Sequence, residues 1–98
     1  MAEEFQLDQS TPGTLALSGA LNFDTAAAVL QAIQSVLTSV TPVRLDLAGV
    51  SLSDSAGLAC VLAVVAAADR RGQSVQVVHM PASMQVLAQV CEVNDLLT

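Results

Sequence analysis

The chain has 98 residues, 53% of them apolar, and carries nine carboxylates against three arginines and no lysine, for a formal net charge of −6. So acidic a chain offers no basic patch for a nucleic-acid backbone and no electrostatic reason to lie on an anionic membrane. Its only aromatics are Phe5 and Phe23, so a core has to be built from Val, Leu, Ile and Ala.

The length is that of a single domain, residues 1–98. The opening "MAEEFQLDQS" is acidic and lacks a signal-peptide pattern. Strands are predicted near residues 4–9 and 14–19 as a hairpin, around the Pro-Gly turn signal of "STPG". In "LNFDTAAAVLQAIQSVLTSVTP", Ala26, Val29, Leu30, Ile33, Val36, Leu37 and Val40 fall on one helical stripe. Asp24 is placed to cap this first helix and Pro42 to stop it. "VRLDL" (43–47) reads as a short central strand followed by a loop, Ala48–Ser53. A second helix runs from Ser55 to Arg71, with Asp54 as its cap and Gly72 supplying the left-handed residue after its end. "SVQVVHM" (74–80) is a strand, Pro81 opens a third helix, and "VNDLL" is a terminal stub with the look of a last short strand.

This order predicts an α/β fold, with a small mixed sheet of four to five strands and helices packed mainly on one face. Function in such folds gathers where strands end and helices begin, here at Leu21–Asp24, Ala48–Ser55 and His79–Ala82. The longest nearly unbroken apolar run, Ala56 to Ala68, is about 13 residues, short of the ~20 that span a bilayer. A soluble cytoplasmic protein is expected. Cys60 and Cys91 have no metal-ligand spacing and read as reduced, buried small hydrophobes.

The second helix is apolar on every side, although a surface helix needs only one apolar stripe. Its bulky residues Leu58, Val61, Leu62 and Val65 share a sector and are expected to face the sheet. Ala56, Ala59, Cys60, Ala63 and Ala67, ending at Arg70, form an opposite face of small residues. Two readings stand for that face: alanines that cost a helix little when exposed, or a smooth patch that lets a partner's backbone approach, which is favoured. Ser55 lies at its start, where a phosphate would meet free backbone N–H groups and the positive end of the helix dipole. Gly57 is expected to leave access for a partner or a kinase loop.

The ordered motifs "GTLALSGAL", "VRLDLAG" and "SDSAGLACVLAVVAAADRRG" resemble the STAS domain family, named for sulfate transporters and anti-sigma factor antagonists. The matching residues are Asp46-Leu47, the loop Ala48–Ser53, and Asp54-Ser55-Ala56-Gly57 at the start of a helix. The chain resembles in particular the small cytosolic STAS subunit of Mla (maintenance of lipid asymmetry) phospholipid ABC transporters of Gram-negative envelopes. That resemblance implies a non-enzymatic accessory subunit bound to the transporter's ATPase subunit, at the inner membrane only through that partner, with Ser55 in the contact. The alternative it implies is an anti-sigma factor antagonist, with Ser55 as phosphoacceptor. An enzyme has little support: His79 is the single histidine, no Gly-rich phosphate loop is visible, and neither cysteine has an evident activating base. No cofactor, metal or small-molecule substrate is expected. The partner-binding residues are then Asp54, Ser55, Ala56, Gly57, Ala59, Cys60, Ala63 and Ala67.

Overall fold

The computed structural model describes residues 5–37 and 43–97. β1 (Phe5–Asp8) and β2 (Thr14–Leu21) form the expected antiparallel hairpin, with Leu7 opposite Leu17. β3 (Val43–Ser53) pairs parallel to β2, and β4 (Val75–Val78) pairs parallel to β3, so the sheet order is β1-β2-β3-β4. Parallel strands that add in one direction through right-handed crossovers place their connecting helices on the same face. Those helices are α1 (Ala26–Val36) and α2 (Ser55–Arg70), and α3 (Ala82–Val90) packs beside α2.

β3 shows the result of one-sided cover in its alternation: Val43, Leu45 and Leu47 are buried, whereas Arg44 and Ala48 lie exposed on the open face. The core joins these residues to Leu17, Leu21, Val29, Ile33, Val61, Val64 and Met84, with no aromatic among the buried side chains described. Its aliphatic make-up follows the composition.

Four expectations require correction. The segment Ala48–Ser53 is not a loop but the second half of β3, paired with β2 across two register shifts. Gly and Ser are poor strand formers, but the pairing with β2 overrides that tendency. Gly49 is needed there because a Cβ would come within 2.7 Å of the Cβ of Ser18.

Asp24 does not cap α1. Thr25 is the N-cap, because an Asn22-centred turn carries the chain one residue further before the helix begins. The helix ends at Val36 with Leu37 as C-cap, while Val40 and Pro42 lie outside the described residues.

The terminal stub is a 3₁₀ turn (Asn94–Leu97) rather than a strand. Glu92, at φ 58°, takes the left-handed place after α3, and Val93 N–H returns to the Ala88 carbonyl at 2.9 Å. The reversed chain delivers Leu97 to the core.

Of the cysteines, Cys60 is buried as expected, but Cys91 is exposed at the C-cap of α3. Burial pushes the Cys60 thiol up to about 11.

Candidate functional site

Because β2, β3 and β4 are parallel, the turns leaving them lie at one edge of the sheet. There the β2–α1 turn meets the start of α2 through Asp54. This carboxylate accepts the Gly57 N–H on Oδ1 and the Phe23 N–H on Oδ2, both at 3.1 Å. Asp54 is therefore the expected N-cap of α2 and, in addition, a clamp on the neighbouring turn. Ser55 is exposed as the first residue of α2. Nearby, the Ser53 and Ser83 hydroxyls lie 3.3 Å apart and join the end of β3 to the start of α3.

Gly57 has a different role from the expected one. It is buried, and a Cβ on it would lie 2.2 Å from the Leu21 carbonyl oxygen. The glycine lets the first turn of α2 pack onto the end of β2, inside the domain, and opens nothing to a partner.

The helix itself is turned about its axis by roughly a quarter turn from the expected setting, at 3.6 residues per turn. The inward stripe is Gly57, Val61, Val64 and Ala68, with Leu58, Cys60 and Ala67 flanking it. Cys60 is 5% exposed and Ala67 7%, so neither belongs to an open face. Leu62 and Val65, expected against the sheet, are half-buried on the flank toward α3. The outward stripe is Ser55, Ala59 and Ala66 with Arg70 at its end, while Ala56 and Ala63 are half-buried toward α1. Neighbouring helices on both flanks, with the sheet beneath, explain why α2 is apolar nearly all round.

Between α1 and α2 lies an open apolar groove of about 400 Å³. It is lined by Ala26, Ala27 and Leu30 from α1, by Ala56, Ala59, Ala63 and the largely buried Cys60 from α2, and by Phe23 from the turn before α1. Phe23 is 82% exposed, and the sequence reading did not single it out. The available signal was a single aromatic among the turn residues of "LNFDT", in a chain with only two phenylalanines.

On the open face of the sheet, Asp46 accepts the Ala48 N–H at 2.9 Å and pairs with His79 Nδ1 at 3.0 Å. The Ala48 amide first, then His79, hold the Asp46 carboxyl below its ordinary value. His79 sits in the left-handed region at φ 57° just after β4. This pair fastens the β4–α3 turn to β3. Among the described residues no group of three or more His, Cys, Asp or Glu side chains is placed to hold a metal ion. No helix among them is long and apolar enough to cross a membrane.

The chain matches the family model described as "Mlab, STAS domain" over residues 5–98. Among solved structures it is similar to the Bacillus cell fate determinant SpoIIAA in its phosphorylated form, at 18% identity and a TM-score of 0.70 over 97% of this chain and 89% of that one. It is similar to an anti-sigma factor antagonist from Mycobacterium paratuberculosis at 21% identity and a TM-score of 0.68, covering 96% of this chain and 81% of that chain. It is also similar to murine Slc26a9, an anion transporter, at 17% identity and a TM-score of 0.60, covering 89% of this chain but 14% of the transporter. At these identities the likeness is one of fold. No curated protein sequence matches the chain.

Proposed function

The chain belongs to the STAS domain family, and from that membership we propose that it is a non-enzymatic accessory subunit that binds and supports the ATPase of an Mla-type phospholipid ABC transporter. The observation that carries this reading is the match to the Mlab family model over residues 5–98. The geometry agrees with it. Ser55, Ala59 and Ala66 form an uncharged stripe that begins at the Asp54 cap and runs beside an apolar groove. Small side chains let another backbone approach closely, and a desolvated contact gains from the absence of charge. In this reading the protein reaches the inner membrane through the ATPase alone, and serves transport that maintains lipid asymmetry.

Of the residues expected in the contact, Ser55, Ala56, Ala59 and Ala63 remain in it. Asp54 acts by positioning its neighbours. Gly57, Cys60 and Ala67 support the surface from within.

One observation favours a second reading, an anti-sigma factor antagonist controlled by phosphorylation of Ser55. That hydroxyl is exposed at the first position of α2, where a phosphate would meet the helix amides. Co-expression with an Mla-type ABC ATPase, then with an anti-sigma kinase, separates the two. The accessory-subunit reading expects a stoichiometric complex with the ATPase, altered ATP turnover in that complex, and no ATP hydrolysis by the protein alone. A complex with the kinase and transfer of phosphate to Ser55, without ATPase binding, would select the second reading.

A further inference from the structure

We propose that Phe23 is the aromatic anchor of the interface, and that the groove beside it receives the apolar face of a helix of the transporter ATPase whose basic residue lies against Asp24. The inference rests on the accessory-subunit reading and names the contact that reading requires.

Phe23 contributes little to the fold, being 82% exposed in a chain whose other aromatic, Phe5, is half-buried against the core. The turn that carries it is nevertheless fully held. Asn22 N–H donates to Thr25 Oγ1 at 3.0 Å, Phe23 N–H to Asp54 Oδ2 at 3.1 Å, and Asp24 N–H to Asn22 Oδ1 at 3.0 Å. Thr25 N–H reaches the Asn22 carbonyl at 3.1 Å, and its buried hydroxyl donates to the Ala20 carbonyl at 2.9 Å. Every backbone donor from 22 to 25 is thus paired. A large apolar ring on a turn with no slack loses little conformational freedom when it is buried by a partner. Asp54 links this turn to α2, since its other oxygen caps that helix. It is a positioning residue for Phe23 and Ser55 together.

The occupant follows from shape and charge. The groove runs between two helices, and its α2 wall of Ala56, Ala59 and Ala63 permits close helix approach. From Ala26 to Val36 in α1, and from Ser55 to Ala68 in α2, neither helix carries a charged residue. The charges stand at the ends. Exposed Asp24 and Asp54 flank Phe23, and Arg70 lies in the last turn of α2. Both Asp54 oxygens are taken up by backbone amides, whereas the Asp24 carboxylate makes no ion pair among the described residues and is left to face a cation. An apolar helix face with a Lys or Arg at the Phe23 end is complementary to this surface.

Calorimetric titration against the purified ABC ATPase tests the inference, with melting curves as the folding control. Phe23→Ala should melt like the wild type and bind about thirtyfold or more weakly, the loss typical of a buried anchor. Phe23→Leu should recover part of that loss. Asp24→Asn should weaken binding a fewfold and flatten its salt dependence. If the wild type binds and Phe23→Ala binds within twofold of it, the anchor is overturned while the accessory-subunit reading stands. An unchanged salt dependence in Asp24→Asn would overturn the basic residue. Failure of the wild type to bind would instead remove the reading on which the inference rests.

Discussion

Ser55 opens α2 but does not cap it, because Asp54 already accepts the Gly57 N–H. Ser55→Ala should therefore leave the melting temperature within a degree or two of wild type, against the ~1 kcal/mol that loss of a true cap costs. Ser55→Asp places a charge at the favourable end of the helix dipole and should fold at least as well. Binding separates these variants from the fold: the expected order is wild type, Thr, Ala, then Asp, because a charge at a packed contact has to lose its water. Equal affinities in a titration series would take Ser55 out of the interface. Asp46 gives the pH-dependent counterpart. Its folded pKa lies below the ordinary value of 3.8, chiefly through the Ala48 amide and then through His79. The stability it contributes is present above that value and is lost as pH falls through the depressed folded one. Asp46→Asn should therefore be less stable than wild type from neutral pH down to about pH 4–5, and the difference should shrink in more acidic solution. A gap that widens with acid in denaturant melts would contradict the assignment. At this scale the sequence was readable where the cause is local, as in the Asp54 cap and the left-handed backbone of Gly72. Phe23 was readable only as a member of the Leu21–Asp24 turn, because the bond that fixes that turn against α2 runs to a residue 31 positions away.

α2 shows what periodicity supplies and where it stops. The helix ends at Arg70, one residue before the expected Arg71, which is its C-cap, while the start and the left-handed Gly72 at φ 73° are as expected. Its rotation is not, because a helix apolar on almost every side has no single stripe to orient it. The partners decide: the sheet takes the stripe through Val61 and Val64, and α1 and α3 take the flanks. β3 fails in the opposite direction, since its Gly- and Ser-rich half looks like a loop until β2 is beside it. Gly57 carries the sharpest consequence of the corrected rotation. Gly to Ala inside a helix normally stabilises, by about 0.5–1 kcal/mol. Here the added methyl would meet the Leu21 backbone oxygen, 2.2 Å away, and neither backbone can yield cheaply. Gly57→Ala should instead destabilise by about 1–3 kcal/mol, enough to lower the melting temperature by roughly 5–15 °C in a domain of this size. A variant that melts at or above the wild-type temperature would show that α2 does not press on β2 as described.

At the scale of the whole molecule, the mixed sheet with its helices on one face was legible because element order and crossover handedness leave few alternatives. The surface for a partner was only partly legible, since it is assembled from two helices and a turn that the chain separates. Phe23, Ala56 and Ala59 come to line one groove through the pairing of β2 with β3. The proposed contact with the transporter ATPase is this uncharged surface on α1 and α2, rather than α3 or the open sheet face. Ala59 is exposed midway along the stripe, where substitution leaves the core untouched. In a calorimetric titration against the purified ATPase, wild type should bind in stoichiometric ratio. Ala59→Arg should keep its melting temperature, as exposed substitutions usually change stability by within about 0.5 kcal/mol, yet show no measurable binding at the same concentrations. An Ala59→Arg protein that binds the ATPase as tightly as wild type would place the contact elsewhere.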